Sequence, residues 1–173
     1  MSLIMRVLAL DTATQACTLA LWEGAGARAR YEIQPRAHNR HILAMLQDVL
    51  DGQPLRDSVD LIACGTGPGS FTGLRVAVSV AQGLAWSQDL PVQGFCSLTA
   101  QVFSAADSGA LTDGIYVLTT IDAQTDQLYG LWGRLCDGHF APEGEPFVCS
   151  PEHVPEPDEM GRTVVLGSGG SYL

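Results

Sequence analysis

Several short runs in this sequence have residue types and spacings that could do chemistry. The stretch LIACGTGPGSFTGLRVAVSVAQGLAW (Leu61–Trp86) passes from an apolar strand through a glycine-rich turn into a long apolar helix. Backbone N–H groups at such a helix N-terminus can cradle phosphate, and the P-loop version adds a lysine that reaches the outer phosphates. No lysine follows here, and the chain has none, because all nine basic residues are arginine. Asp11-Thr12-Ala13-Thr14 ends an apolar run and could supply a Mg²⁺-orienting carboxylate and a phosphate-contacting hydroxyl turn. The same residues also suit a strand-end turn whose Asp and Thr bond local N–H groups.

Two other runs favour plainer roles. His38 and His41 could in principle be two metal ligands on one helical turn, but no Glu or third His stands nearby, and a histidine at a helix start is more often a cap or core-edge residue. Ser70 lies in GPGSFTG, where Gly73 comes one residue too late for a G-x-S-x-G nucleophile elbow. An N-cap for the following helix is the stronger reading.

The elements that must position these residues occur twice. MRVLALDTAT, ACTLALWEG and ARARYEIQ read as an antiparallel meander. IYVLTTIDAQTDQLYGLWGRL repeats it, setting Asp122 after an apolar strand as Asp11 is, with Trp22 and Trp132 falling 11 and 10 residues after their aspartates. DLIACGTGPG and TVVLGSGG then each end a strand in a Gly-x-Gly turn. The tandem order predicts an α/β fold of two like lobes, each a mixed sheet flanked by helices, divided as 1–104 and 105–173. The first lobe continues into a helix over Thr72–Trp86 and a further strand, PVQGFCS, whereas the second stops at Leu173, so a truncated second lobe is expected. The second Asp loop, DAQTDQ, lacks glycines that would let backbone approach a nucleotide. Ancestral geometry is kept while phosphate chemistry is lost.

HNRHILAMLQDVLD reads as an amphipathic helix with Ile42, Met45, Leu46, Val49 and Leu50 on one face and Gly52 as its stop. In the helix after the glycine turn, apolar positions including Val76, Leu84, Ala77, Ala81, Leu74 and Val78 cover an arc of about 200°. So wide an arc predicts packing on the sheet and also on another helix or a partner, with small residues permitting close approach. Pro54 and PEGEP…SPEHVPEPDE are expected to be loops.

Composition bounds the rest. The 173 residues are 46% hydrophobic and carry a net charge of −10, without the basic footprint of an autonomous nucleic-acid binder. Lacking lysine, the chain cannot form an internal Schiff base or a Walker-type cradle. Five cysteines with no CxxC pair suggest a reducing compartment, and no run reaches membrane-spanning length, so the cytoplasm is expected. MSLI before Met5 has the look of an expression scar.

GTGPGSFTGLRVAVSVAQGLA, with VLALDTATQACTLALW before it, RAHNRHILAMLQDVL between and TTIDAQTDQLYGLWGRL to VVLGSGGSYL after it, closely resembles the bacterial TsaB (YeaZ) family. The resemblance implies the duplicated actin-like ATPase (ribonuclease H-like) fold. It also implies a non-catalytic subunit that acts with a TsaD-like catalytic paralogue, a TsaE-like ATPase and a threonylcarbamoyl-AMP synthase. Together these make threonylcarbamoyladenosine next to the anticodon of tRNAs reading codons beginning with A. No catalytic residue carries over. Asp11, Thr12, Gly65, Gly67 and Gly69 are degenerate phosphate-loop positions, and the histidine spacing is not the HxxxH by which the catalytic paralogue holds its metal. ATP and metal are thus expected on the partner subunits, tRNA contact only indirectly, and no membrane. The family's dimerising helices fall on His41–Leu50 and Leu74–Trp86. Ile42, Met45, Leu46, Val49, Leu74, Ala77, Val78 and Ala81 are therefore expected at a partner interface, which would form a homodimer when the chain is alone. The alternatives are an ATPase or sugar-kinase-like enzyme of the same fold and, from the glycoprotease label of related proteins, a peptidase.

Overall fold

The computed structural model describes residues 5–33, 38–157 and 161–173, and residues 1–4 with the MSLI segment lie outside them. The chain divides into two compact units, Met1–Phe95 and Cys96–Leu173.

In the first unit, strands β1 (Val7–Asp11), β2 (Ala16–Trp22) and β3 (Ala27–Ile33) form the expected meander. Strand β4 (Leu61–Gly65) lies parallel to β1, pairing Val7 with Leu61, and β5 (Val92–Phe95) completes the order β3-β2-β1-β4-β5. Alternation along β1 and β2 turns Leu8, Leu10, Cys17, Leu19 and Leu21 to one face. Helices α1 (His38–Leu50) and α3 (Phe71–Gln88) pack on that face, joined by a short helix, α2 (Leu55–Ser58), that the sequence pattern does not reveal. Asp51 and Gly52, with φ of 52° and 72°, end α1 as the glycine stop predicts. Asp89 ends α3 in the left-handed region, its N–H bonded to the Ala85 carbonyl.

In the second unit, β6 (Tyr116–Gln124), β7 (Gln127–Cys136) and β8 (His139–Cys149) repeat the meander, and β9 (Thr163–Gly167) lies parallel to β6. Helix α4 (Ser97–Asp107) packs Leu98 and Val102 against Val117, Ile121, Leu131 and Leu135. It spans the 104/105 division made from sequence. Its small, weakly periodic residues hide it there, with only Leu98 and Val102 as large apolar side chains at i, i+4 spacing.

PEGEP is not a loop. Pro142–Pro146 belong to the edge strand β8, where three residues of β8 oppose one of β7 between the Gly130–Phe147 and Trp132–Glu143 pairs. This bulge admits Gly144 at φ 82° and both prolines because edge positions need no donor on the outer side. The following Pro-rich segment holds a single 3-10 turn, Pro151–His153, and the Trp132 indole N–H donates to the Pro155 carbonyl at 2.7 Å.

Candidate functional site: a sealed turn and an exposed helix face

Strand β1 delivers Asp11 to the turn before β2, and β4 delivers Gly65 beside it, so the two conserved-looking motifs of the first unit meet. Their polar groups are engaged with each other. The Asp11 carboxylate accepts from the Ala13 N–H at 2.6 Å, and Ser70 N–H donates to the Ala13 carbonyl at 2.6 Å. Buried Thr12 donates its hydroxyl to the Gly73 carbonyl at 2.6 Å. Gly73 N–H in turn donates to the Ser70 hydroxyl at 3.3 Å, so Ser70 is the N-cap of α3 as its context suggests.

Sterics close the turn further. A Cβ on Gly65 would strike the Asp11 carboxylate, one on Gly69 the Ala13 backbone, and one on Gly73 the Thr12 carbonyl oxygen. Gly67 sits against the Leu74 side chain. These glycines let one loop press on another, and the space a phosphate would take is filled by backbone. Cys17 and Cys64 lie buried on neighbouring strands. Burial, with the negative charges of Glu32 and Asp11, raises the Cys17 thiol to about 11, and burial beside Asp11 raises Cys64, so both are thiols at neutral pH.

The expected interface residues divide into two groups. Ile42, Met45, Leu46 and Val49 of α1, and Ala77 and Ala81 of α3, are buried in the first unit's own core. They present no surface to a partner. Small residues on α3 do permit close approach, but the element approached is the chain's own sheet and α1: Gly73, Ala77, Ala81 and Ala85 form the buried line. Larger Leu74, Val76, Val78 and Leu84 fan out half-buried on either side, so the predicted 200° arc is one narrow seam with flanks.

Leu74 and Val78 remain accessible and join a feature that the sequence reading left out. Phe71 and Trp86, 69% and 90% exposed, lie with Leu74, Val78 and Gln82 along the outer line of α3 at i, i+3/i+4 spacing. Phe71, Leu74, Arg75, Val78 and Ser79 line a shallow groove of about 230 Å³. The signal was present in the sequence as aromatics at both ends of the helix.

The side chain of His38 lies outside the described residues, and His41 sits 3.6 Å from the Glu32 carboxylate. Among the described residues no three His, Cys, Asp or Glu side chains are grouped to hold a metal, and no helix is long and apolar enough to cross a membrane.

Comparison with known proteins agrees with this architecture. A family profile described as "TsaD: tRNA N6-adenosine threonylcarbamoyltransferase" matches residues 32–136. The "tRNA threonylcarbamoyladenosine biosynthesis protein TsaB" of Escherichia coli (strain K12) is 39% identical over 170 residues, covering 95% of this chain and 72% of that protein. The protein of the same name from Haemophilus influenzae is 40% identical over 126 residues, 72% of this chain and 52% of that protein. The solved structure "YeaZ from Pseudomonas aeruginosa" superposes with a TM-score of 0.88 at 36% identity, covering 98% of this chain and 78% of that one.

Proposed function

Because the chain belongs to the TsaB (YeaZ) family of tRNA threonylcarbamoyladenosine biosynthesis proteins, we propose that it is the non-catalytic subunit of the modifying assembly, supporting a TsaD-like catalytic paralogue. The sealed turn carries this reading. Asp11, Thr12, Ser70 and the backbone around them are bonded to one another, which leaves a polyphosphate few donors, and the net charge of −10 opposes it further.

Nucleotide, metal and catalysis then belong to the partners, the TsaD-like paralogue and a TsaE-like ATPase, in the cytoplasm. The tRNA is met only through them, since an acidic surface repels its phosphates. The outer line of α3, from Phe71 to Trp86, is the docking face for the paralogue. Without the paralogue the same face pairs with a second copy as a two-fold homodimer.

The test is reconstitution with the paralogue, the TsaE-like ATPase and the threonylcarbamoyl-AMP synthase of the same genome. Omitting this chain should abolish formation of the modified nucleoside, and Val78→Asp should abolish co-purification by placing a charge in an apolar contact. Full modification without the chain overturns the supporting role. Micromolar binding of Mg-ATP by the chain alone, weakened by Asp11→Ala, instead favours an ATPase of the same fold.

A further inference from the structure

Helix α3 has eighteen residues and a single charged side chain, Arg75. Arg75 stands on the outer line, between Phe71 and Val78, and forms one wall of the groove. Its guanidinium lies over the Phe71 ring, 3.8 Å from the centroid, which fixes the planar fork while leaving its N–H edges directed away from the helix. Among the described residues the ion pairs involve Arg6, Arg28, Arg30 and His41, and Arg75 makes none. A cation held ready but unpaired is unexpected on a chain with a net charge of −10. Covering the groove with an apolar partner face would desolvate it at a cost that only a carboxylate opposite could offset.

Resting on the docking face proposed above, we infer that Arg75 sets partner choice: it selects a separate chain whose facing helix carries a carboxylate, and disfavours a second copy of this one. A second copy would bring an α3 with no acidic residue and another Arg75. The acid on adjacent α1, Asp48, is 3.7 Å from Arg30 and already engaged. Asp89, just past the end of α3, is the one carboxylate that helix could bring, and only in an antiparallel pairing centred on Gln82. The apolar residues therefore supply attraction to either partner, and the single charge supplies the discrimination.

Binding to the paralogue and self-association would be measured by calorimetry and sedimentation at about 50 and 300 mM salt for wild type, Arg75→Met, Arg75→Lys and Val78→Asp. Arg75→Met keeps the stem over Phe71 and removes the charge. It should weaken paralogue binding by about tenfold or more and flatten its salt dependence, while self-association holds or strengthens. Arg75→Lys should retain the salt dependence with intermediate affinity. Arg75→Met binding the paralogue like wild type, or weakening both associations equally, overturns the inference. If that happens while Val78→Asp abolishes binding, the docking face stands and only the role of Arg75 falls. If Val78→Asp also binds like wild type, the paralogue docks elsewhere and both ideas fall together.

Discussion

The two units close their Asp and Gly turns with the same fastener, made at different places. In the first, Thr12 follows Asp11, its hydroxyl bonds the Gly73 carbonyl, and Gly73 presses on the Thr12 carbonyl from the first turn of α3. In the second, Thr120 precedes Asp122, its hydroxyl bonds the Leu166 carbonyl at 2.6 Å, and Gly167 presses on the Thr120 carbonyl at the end of β9. Both aspartates cap their own turns, Asp11 accepting from Ala13 N–H and Asp122 from Gln124 N–H at 2.7 Å. The second hairpin is the tighter, with Gln124, Thr125 and Asp126 all at positive φ, and Ser168 accepts the Asp122 N–H at 3.0 Å. After the fastener, one unit launches an eighteen-residue helix and the other a 3-10 turn over Ser168–Tyr172. The repeat thus preserves the joint between turns rather than an opening for a ligand.

The glycines give the strongest way to break this comparison. Gly73→Ala should cost roughly 3 kcal/mol or more, because a Cβ falls on the Thr12 carbonyl and neither backbone can yield cheaply. Gly167→Ala should cost as much, adding strain at φ 89° to the clash with Thr120. Gly83→Ala is the control: nothing lies within 4 Å of its Cβ, so it should stabilise the helix by up to about 1 kcal/mol. Urea and thermal unfolding measure all three. A Gly73→Ala protein that melts with wild type would show that the turn is loose.

Next come the threonines. Thr12→Val and Thr120→Val each delete a hydroxyl from a buried site and leave a carbonyl short of a donor, at about 1–2 kcal/mol apiece. Matched losses in the same unfolding assay sharpen the equivalence of the joints. A loss confined to Thr12 would mean that only the first is structural.

The smallest effect concerns how each first strand is anchored. Arg6 bonds Asp60 at 2.8 Å and the Asp57 carbonyl, tying the start of β1 to the approach of β4. Tyr116 begins β6 under the Arg134 guanidinium, its hydroxyl 2.5 Å away. The hydrogen bond from Arg6 holds the Asp60 carboxyl down at about 2, below the usual 3.9 of an unfolded chain. Because its folded value is depressed, the Asp60 contribution is fully present above pH ~4 and fades as pH falls through about 2. Both partners are substantially exposed, 31% and 41%, so Asp60→Asn should cost under about 1 kcal/mol at neutral pH. That deficit should vanish in melts at pH ~2, where wild type has lost the same term. The Tyr116–Arg134 contact has no proton to gain over this range.

Much of this was legible in the chain. The doubled Asp–Gly order and period-2 strands follow directly from residue type, because each turn needs its special residues wherever the fold is repeated. The Ser70 cap and the α1 stop are local chemistry and read equally well. Burial on α3 was not legible, since periodicity marks which positions are apolar but not which surface they meet. Ala77 and Ala81 are small so that the helix can settle on its own sheet, and the docking surface passed to Phe71 and Trp86 outside the stripe. Helix α4 was hidden because two large side chains suffice to hold it, too few for a periodic signal.

The bulge and prolines of β8 carry a consequence for life in a crowded cell. An edge strand with an unbroken row of N–H and C=O groups is a template on which another chain can grow a sheet. Pro142 and Pro146 remove two donors from that row, and the turn of backbone at Gly144 kinks what remains. Strand β3, the edge of the other sheet, has no proline and exposes Tyr31 and Ile33. Aggregation of a partly unfolded chain should therefore start from the N-terminal sheet, leaving the C-terminal one protected by two missing hydrogens.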